Sequence, residues 1–272
     1  MRLGLCALLA FASAAYAVDE AAYTEVFYPS GSLRIQAYLY RPQGAGPFPV
    51  VIYNHGTRDG RERASVPFEY VGAMLTRAGY AVLVPERRGY GKSDGALWWQ
   101  EADGASVVGR LQAETDDVLA ALPYLRTVEF ADSKRIAIMG WSFGGIVTMF
   151  AASRSAAFLA AVDQAGGALS WDGSPSLRAA LIAAAQKLQT PTLLMVAAND
   201  RTTASITTLA DILKSRGVAH RMVIYGAFTP AQGRPGAAGH AIFSAQGAHL
   251  WQKDVVEFLD RHVALAKSGS GQ

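Results

Sequence analysis

The chain has 272 residues, of which 51% are hydrophobic and 17% charged, and its formal net charge is +3. This length suits one large α/β domain, and so apolar and weakly charged a chain is not intrinsically disordered. Nucleic-acid binding needs basic residues gathered on one face. The densest basic run, Arg58 to Arg63, is interleaved with Asp59 and Glu62. We therefore expect no nucleic-acid partner.

The first 17 residues have the pattern of a secretory signal peptide. A positive start at Arg2 precedes an apolar run from Leu3 to Ala12, and Ala15-Tyr16-Ala17 is a small-x-small cleavage site. About ten apolar residues are too few to cross a bilayer, which takes about 20. The single cysteine, Cys6, lies in this segment, so the mature chain would have no disulfide and no thiol nucleophile. We expect cleavage after Ala17 or one to three residues earlier, no membrane span in the mature protein, and a periplasmic or secreted location.

A β-hairpin is the first predicted element, and short apolar strands then alternate with stretches of helical length. The hairpin joins Thr24–Tyr28 to Leu33–Tyr40 across the turn residues Pro29 to Ser32. The predicted strands are 50–53, 81–84, 135–139, 159–163, 192–197 and 221–225, and the predicted helices are 66–78, 106–125, 144–153, 177–188, 204–215 and 247–266. This alternation predicts one α/β domain over residues 18–266, with a mostly parallel sheet of about eight strands and helices on both faces. Residues 267–272 read as a flexible tail. Ligands of such sheets bind beyond the carboxyl ends of the strands.

A serine lies between glycines where a predicted strand turns into a helix. Ile136–Met139 runs into Gly140-Trp141-Ser142-Phe143-Gly144-Gly145, which is the G-x-S-x-G pattern of a nucleophile elbow. The serine of such a turn has a strained backbone, and only glycines on either side leave room for it. The helix that follows directs its free amides at the place where an oxyanion forms. We predict Ser142 as the nucleophile and the amide of Phe143 as one oxyanion donor.

With this elbow, the chain resembles the α/β-hydrolases, and among them the dienelactone-hydrolase-like group. Four further segments carry the resemblance, which covers nearly the whole mature chain: Asn54-His55-Gly56-Thr57, Arg87 to Ser93, Leu194 to Asp200 and Ala238 to Phe243. The resemblance implies the α/β-hydrolase fold, a second oxyanion donor at the amide of Thr57, with its hydroxyl as an extra, and a supporting role for His55. Dienelactone hydrolases proper have a cysteine at the elbow, whereas this chain has Ser142. That difference favours a serine esterase on the same scaffold.

A serine hydroxyl needs a base that takes its proton, and five histidines are available. His240 lies in a glycine-rich loop after the last predicted strand, and His249 in the last helix is the alternative. The base in turn needs a carboxylate. Asp200 directly follows an apolar strand, and Asp163 at the end of an earlier strand is the alternative. The order Ser142, Asp200, His240 is the chain order of α/β-hydrolase triads, and we predict this triad.

The remaining patterns concern the pocket. Trp98 and Trp99 in a predicted loop and Trp141 in the elbow are predicted substrate-binding residues, and packing is the alternative for the first two. The 28 residues from 164 to 191 leave room for one helix but not for a large lid.

We expect no metal and no cofactor, because the histidines lack the H-E-x-x-H spacing and the mature chain has no cysteine.

These patterns together predict a serine hydrolase that cleaves small-molecule or polymeric carboxylic esters through an acyl-enzyme. A serine peptidase or amidase with the same triad is the alternative. A non-catalytic binding module with this fold is a further alternative.

Overall fold

An eight-stranded sheet lies at the centre of the computed structural model, which describes residues 22–58, 63–101, 107–231 and 236–264. The predicted signal peptide and the predicted tail lie outside these residues. The strands are β1 Tyr23–Ser30, β2 Leu33–Tyr40, β3 Phe48–Asn54, β4 Ala81–Glu86, β5 Ala131–Trp141, β6 Phe158–Gln164, β7 Thr192–Ala197 and β8 His220–Tyr225. Their order in the sheet is β1-β2-β4-β3-β5-β6-β7-β8. Strands β1 and β2 form an antiparallel hairpin, β2 pairs antiparallel with β4, and the other pairs are parallel.

Helices surround the sheet. They are α1 Glu69–Arg77, α2 Trp98–Glu101, α3 Val107–Leu119, α4 Ala121–Leu125, α5 Phe143–Arg154, α6 Pro175–Ala185, α7 Ala204–Ser215 and α8 Ala248–Leu259, with a 3₁₀ helix at Ala238–Phe243 and a π-helical turn at Asp260–Ala264. Helix α5 packs on β5 and β6 and contacts α3 and α6, whereas α1 packs against α8. Strands β4 and β7 are buried along their whole length because helices cover the sheet. The predicted α/β-hydrolase fold is confirmed.

Three predicted elements differ from the observed ones for identifiable reasons. Helix α1 begins at Glu69 instead of position 66, because Phe68 has a left-handed backbone (φ 55°) and cannot continue a helix. The predicted helix 106–125 is two helices, α3 and α4, and Pro123 accounts for the break, because in a continuous helix its ring would clash with the carbonyl of Leu119. The predicted loop at Trp98 is the short helix α2.

The sheet brings the carboxyl ends of β5, β6 and β7 to one edge. The register pairs Gly140 of β5 with Asp163 of β6, and Trp141 with Gln164. The amide of Ser142 donates to the carbonyl of Gln164 at 2.8 Å, which fixes the turn after β5 to the end of the neighbouring strand. The turn after β5 is therefore fixed to the sheet where the serine lies.

Candidate active site

Ser142 occupies a strained turn between β5 and α5. Its backbone has φ 61° and ψ −121°, which a non-glycine residue adopts only where the surroundings enforce it. Those surroundings leave no space for side chains beside it. A Cβ on Gly140 would collide with the carbonyl of Gly144, and a Cβ on Gly144 would collide with the carbonyl of Asn54. The two glycines of the predicted elbow are thus required by packing, and Ser142 lines a cavity.

His240 and Asp200 are hydrogen-bonded to each other. The ring Nδ1 of His240 lies 2.8 Å from Oδ2 of Asp200, and both residues are buried. Because a carboxylate only accepts, Nδ1 carries a proton, and in the neutral imidazole Nε2 is then unprotonated. Nε2 is buried and has no hydrogen-bond partner among the described residues. An imidazole in this tautomer is ready to accept a proton from a group placed at Nε2.

Three backbone contacts hold this pair beside the elbow. The indole Nε1 of Trp141 donates to the carbonyl of His240 at 3.1 Å, so the elbow itself positions the loop with the histidine. The amide of Gly239 donates to the carbonyl of Asn199 at 3.3 Å. The second oxygen of Asp200, Oδ1, accepts from the amide of Arg201 at 2.7 Å. The carboxylate therefore has a fixed orientation towards the imidazole.

The alternative acid and base lie elsewhere. Asp163 is fully buried, and its Oδ1 accepts from the amide of Gly166 at 2.7 Å. Burial raises the pKa of this carboxyl to about 7, and the Gly166 amide lowers it by less. His249 lies exposed on α8. The structure pairs Asp200, not Asp163, with His240.

The predicted oxyanion donors come from two separate elements. Phe143 is the first residue of α5, where a helix has unpaired amides. Thr57 lies in the loop after β3, and it lines the same cavity as Ser142 and His240. The preceding residue approaches the elbow closely, because a Cβ on Gly56 would lie 3.0 Å from Cβ of Ser142. The loop and the elbow thus face each other across the serine.

A buried histidine supports this loop from below. Nδ1 of His55 donates to the carbonyl of Gly56 at 2.7 Å, since a carbonyl oxygen only accepts. Burial lowers the pKa of His55 well below its usual range, and the nearby charges of Arg87 and Arg58 lower it further. Arg58 forms an ion pair with the buried Glu86 at the end of β4. Burial raises the pKa of Glu86, whereas Arg58 lowers it by less.

A cavity of 380 Å³ opens over the serine. Its lining comes from the segment between β3 and α1, the elbow, the segment after β6 and residues 237–246: Gly56, Thr57, Arg58, Phe68, Trp141, Ser142, Leu169, Ala237, His240, Ala241, Ser244 and Gln246. Trp141 lies in the cavity wall, and its binding of substrate stays a prediction. Sequence patterns did not indicate Phe68, Leu169 or Gln246, because irregular segments carry no periodicity that would place them.

Trp98 is not among the described residues that line this cavity. Its ring contacts Phe143 edge-to-face at 4.7 Å, and the guanidinium of Arg110 lies 5.7 Å from the Trp98 ring. Trp98 therefore packs against its neighbours, which was the alternative to substrate binding in the sequence analysis. The side chain of Trp99 lies outside the part of the chain that the structure describes.

The described residues contain no cluster of three or more histidine, cysteine, aspartate or glutamate side chains that could bind a metal. None of the helices in the described ranges is long and apolar enough to cross a membrane.

Comparison with known proteins identifies the family. The sequence model of the dienelactone hydrolase family matches residues 35–262. The chain belongs to the dienelactone hydrolase family. The matched segment runs from β2 into the last π-helical turn and includes the elbow, Asp200 and His240. The predicted family is therefore confirmed, and this dienelactone hydrolase family member has a serine at the elbow.

Individual relatives are similar over part of their length. The quorum-quenching protein AidA of Acinetobacter baumannii is 31% identical over 121 residues, which are 44% of this chain and 36% of AidA. The acylaminoacyl peptidase of Pyrococcus horikoshii has a TM-score of 0.72 at 20% identity, over 92% of this chain and 43% of the peptidase. An esterase of Pyrococcus furiosus has a TM-score of 0.65 at 18% identity, over 89% of this chain and 92% of the esterase. At these identities the two structures show the fold. The chain spans well under half the length of AidA and of the peptidase.

Proposed function

We propose that this protein is a serine hydrolase that cleaves carboxylic esters through an acyl-enzyme intermediate. The observation that carries the proposal is the 2.8 Å contact between Asp200 and His240 beside the strained turn of Ser142. In the neutral imidazole this contact leaves Nε2 unprotonated, and Nε2 has no hydrogen-bond partner among the described residues. The cavity over Ser142 gives a substrate access to both groups.

The reaction follows from this arrangement. Oγ of Ser142 attacks the ester carbonyl while Nε2 of His240 takes the hydroxyl proton, and Asp200 stabilises the imidazolium that forms. The amides of Phe143 and Thr57 donate to the oxyanion, and deleting one such donor costs about 2.7–4 kcal/mol in known enzymes. The imidazolium then protonates the leaving alcohol. Water cleaves the acyl-enzyme with the same histidine as base, which restores the serine.

The surroundings of the cavity favour water-accessible esters. Between β6 and β7 the chain forms one helix, α6, and short irregular segments. This segment forms no helical lid that would close over long lipids. Small or polymeric esters are therefore the proposed substrates.

A serine peptidase or amidase with the same triad is the second candidate. The acylaminoacyl peptidase of Pyrococcus horikoshii has the same fold, so the fold alone does not separate the two activities. Parallel assays with p-nitrophenyl esters and p-nitroanilides of the same acyl group separate them.

The nucleophile is tested by covalent labelling. A fluorophosphonate reacts with an activated serine, so we expect mass spectrometry to locate one adduct on Ser142 and Ser142→Ala to abolish it. Ser153→Ala is the control: Ser153 lies near the opposite end of α5, and its hydroxyl donates to the carbonyl of Phe150 at 2.9 Å. This variant should be labelled like the wild type. An adduct on another serine would refute the assignment, and a protein that does not react would favour the binding module.

We also propose export to the periplasm or beyond the cell, on the pattern of residues 1–17. Sequencing the N-terminus of the exported protein is the test. A mature chain that starts at Val18 or one to three residues earlier supports the proposal, and a retained Met1 contradicts it.

A further inference from the structure

A buried arginine lies directly beneath the loop that contains Thr57. Arg87 follows β4 and is fully buried, and its Nη2 donates to the carbonyl of His55 at 2.8 Å. On its other side, Nε donates to Oε2 of Glu114 at 2.6 Å. Glu114 is a fully buried residue of α3, and its Oε1 accepts from Nε of Arg110 at 2.8 Å. The position of the Arg87 guanidinium is thus set by helix α3.

The contact with Arg87 fixes one side of the loop, and the elbow fixes the other. A Cβ on Gly144 would collide with the carbonyls of Asn54 and His55, so the loop backbone packs directly against the first turn of α5. The His55 carbonyl is therefore held between Arg87 and the elbow. This carbonyl thus has a close contact on both sides.

The same loop determines where the Thr57 amide points. The Gly56 carbonyl is turned inward, because it accepts from Nδ1 of His55 at 2.7 Å. In a trans peptide the C=O and the N–H point in opposite directions. The N–H of Thr57 is consequently turned away from the buried ring of His55. Thr57 itself is exposed, so its own side-chain packing does not hold it.

The two proposed oxyanion donors lie on separate elements, so contacts such as these must fix their relative position. Phe143 belongs to α5 and Thr57 to the loop after β3, and their amides must both lie about 2.7–3.1 Å from one oxygen. A misplacement of about 1 Å can cost about 10²-fold in rate. We propose that Arg87 and Glu114 are positioning residues that hold the loop, and with it the Thr57 amide, at the correct distance from the elbow. This inference rests on the proposed serine hydrolase function.

Helix α3 offers a matched control for the test. Asp117 lies about one turn after Glu114, is also fully buried, and pairs with Arg88 through Oδ1 at 2.8 Å and Oδ2 at 2.9 Å. It also accepts from the hydroxyl of Ser30 in β1 at 2.8 Å. Glu114→Gln and Asp117→Asn therefore each remove one buried negative charge from the same helix. Only the first weakens the support of the oxyanion loop.

The experiment measures kcat and KM for p-nitrophenyl acetate, the Ki of an aryl trifluoromethyl ketone, and Tm. The ketone reacts with the Ser142 hydroxyl, whose proton passes to His240, and the resulting tetrahedral adduct carries an oxyanion. We expect Glu114→Gln to lower kcat and raise the Ki of the ketone, each by about 10- to 100-fold, with KM changed less than about threefold. Asp117→Asn should leave kcat and Ki within about threefold of the wild-type values. We expect both variants to have a lower Tm, because each loses a buried charge pair.

Arg87→Lys replaces Glu114→Gln if the latter does not fold, because one ammonium cannot reproduce the fork that contacts both Glu114 and the His55 carbonyl. Unchanged kcat and Ki in a folded Glu114→Gln or Arg87→Lys variant would overturn the positioning role. Equal losses in Asp117→Asn would overturn it too, since they would show a general effect of buried charge. A wild-type protein that neither hydrolyses esters nor binds the ketone would instead overturn the proposed function, and this inference with it.

Discussion

Replacing Asp200 by asparagine tests the proposed catalytic acid through its hydrogen bonds. The carboxylate uses both oxygens as acceptors: Oδ2 faces Nδ1 of His240 at 2.8 Å, and Oδ1 faces the amide of Arg201 at 2.7 Å. Asparagine has one acceptor oxygen and one NH₂ donor. If the NH₂ group faces the imidazole, Nδ1 must become the acceptor and the proton moves to Nε2. A histidine in that tautomer cannot take the proton of Ser142. The opposite orientation places the NH₂ group against the N–H of Arg201.

The expected loss follows from this tautomer change. One orientation imposes the unreactive tautomer and the other breaks the hydrogen bond with Arg201, and the corresponding change in a serine protease lowers kcat by about 10⁴-fold. We expect Asp200→Asn to lower kcat at least 10²-fold, which corresponds to about 2.7 kcal/mol in the activation free energy. KM should change little, because the acid does not contribute to uniform substrate binding. The assay is steady-state hydrolysis of p-nitrophenyl acetate at pH 8, with Tm measured alongside.

Asp163→Asn is the comparison for this experiment. Asp163 accepts from the Gly166 amide, and an asparagine oxygen can still accept this hydrogen bond. Most of the activity should therefore remain. A folded, active Asp200→Asn together with a folded, inactive Asp163→Asn would refute the reasoning and assign the acid to β6. Ser142 and His240 would keep their proposed roles.

Two further predictions concern stability and substrate size. Burial raises the pKa of Asp163 from its ordinary 3.8 to about 7, so between these pH values the folded protein binds more protons than the unfolded chain. The free energy of unfolding should therefore fall as pH rises from about 4 to about 7, by up to about 4 kcal/mol from this group, and Asp163→Asn should remove that decline. Urea unfolding of both proteins across this range measures the effect, and parallel curves would contradict it. In an ester series, acetate and butyrate should react faster than palmitate without interfacial activation, whereas a jump in rate at a lipid interface would show that the segment after β6 closes over the site.

The sequence predicts best those elements whose pattern is local and continuous. Strand β7 and helix α7 have the predicted bounds, because a run of apolar residues and a helical period each identify their element without reference to the rest of the chain. The start of α1 was predicted three residues too early. The amide of Val66 donates to the carboxylate of Glu86, and the hydroxyl of Tyr40 donates to the carbonyl of Pro67. Such long-range contacts fix a backbone that local propensity would make helical.

The buried charges beneath the oxyanion loop show a second limit of sequence patterns. Arg110, Glu114 and Asp117 are charged residues on the buried face of α3, where periodicity alone would place a solvated face. Arg110 and Glu114 pair within the helix, but Glu114 and Asp117 also need partners from elsewhere, because Arg87 and Arg88 follow β4. The sequence indicated the elbow and the triad residues through their positions after strands. It contained no local signal for the contacts with Arg87 and Arg88.

The burial of Asp163 restricts the order in which this chain can evolve. A Cβ on Gly166 would have three atoms of Asp163 as its nearest neighbours, with Oδ2 at 2.6 Å and Cγ at 2.8 Å. The nearest obstacle to a side chain at position 166 is therefore the carboxyl group of a single other residue. A lineage that first replaced Asp163 by alanine would remove this obstacle. The reverse order passes through a steric clash, so we expect the two substitutions to be epistatic.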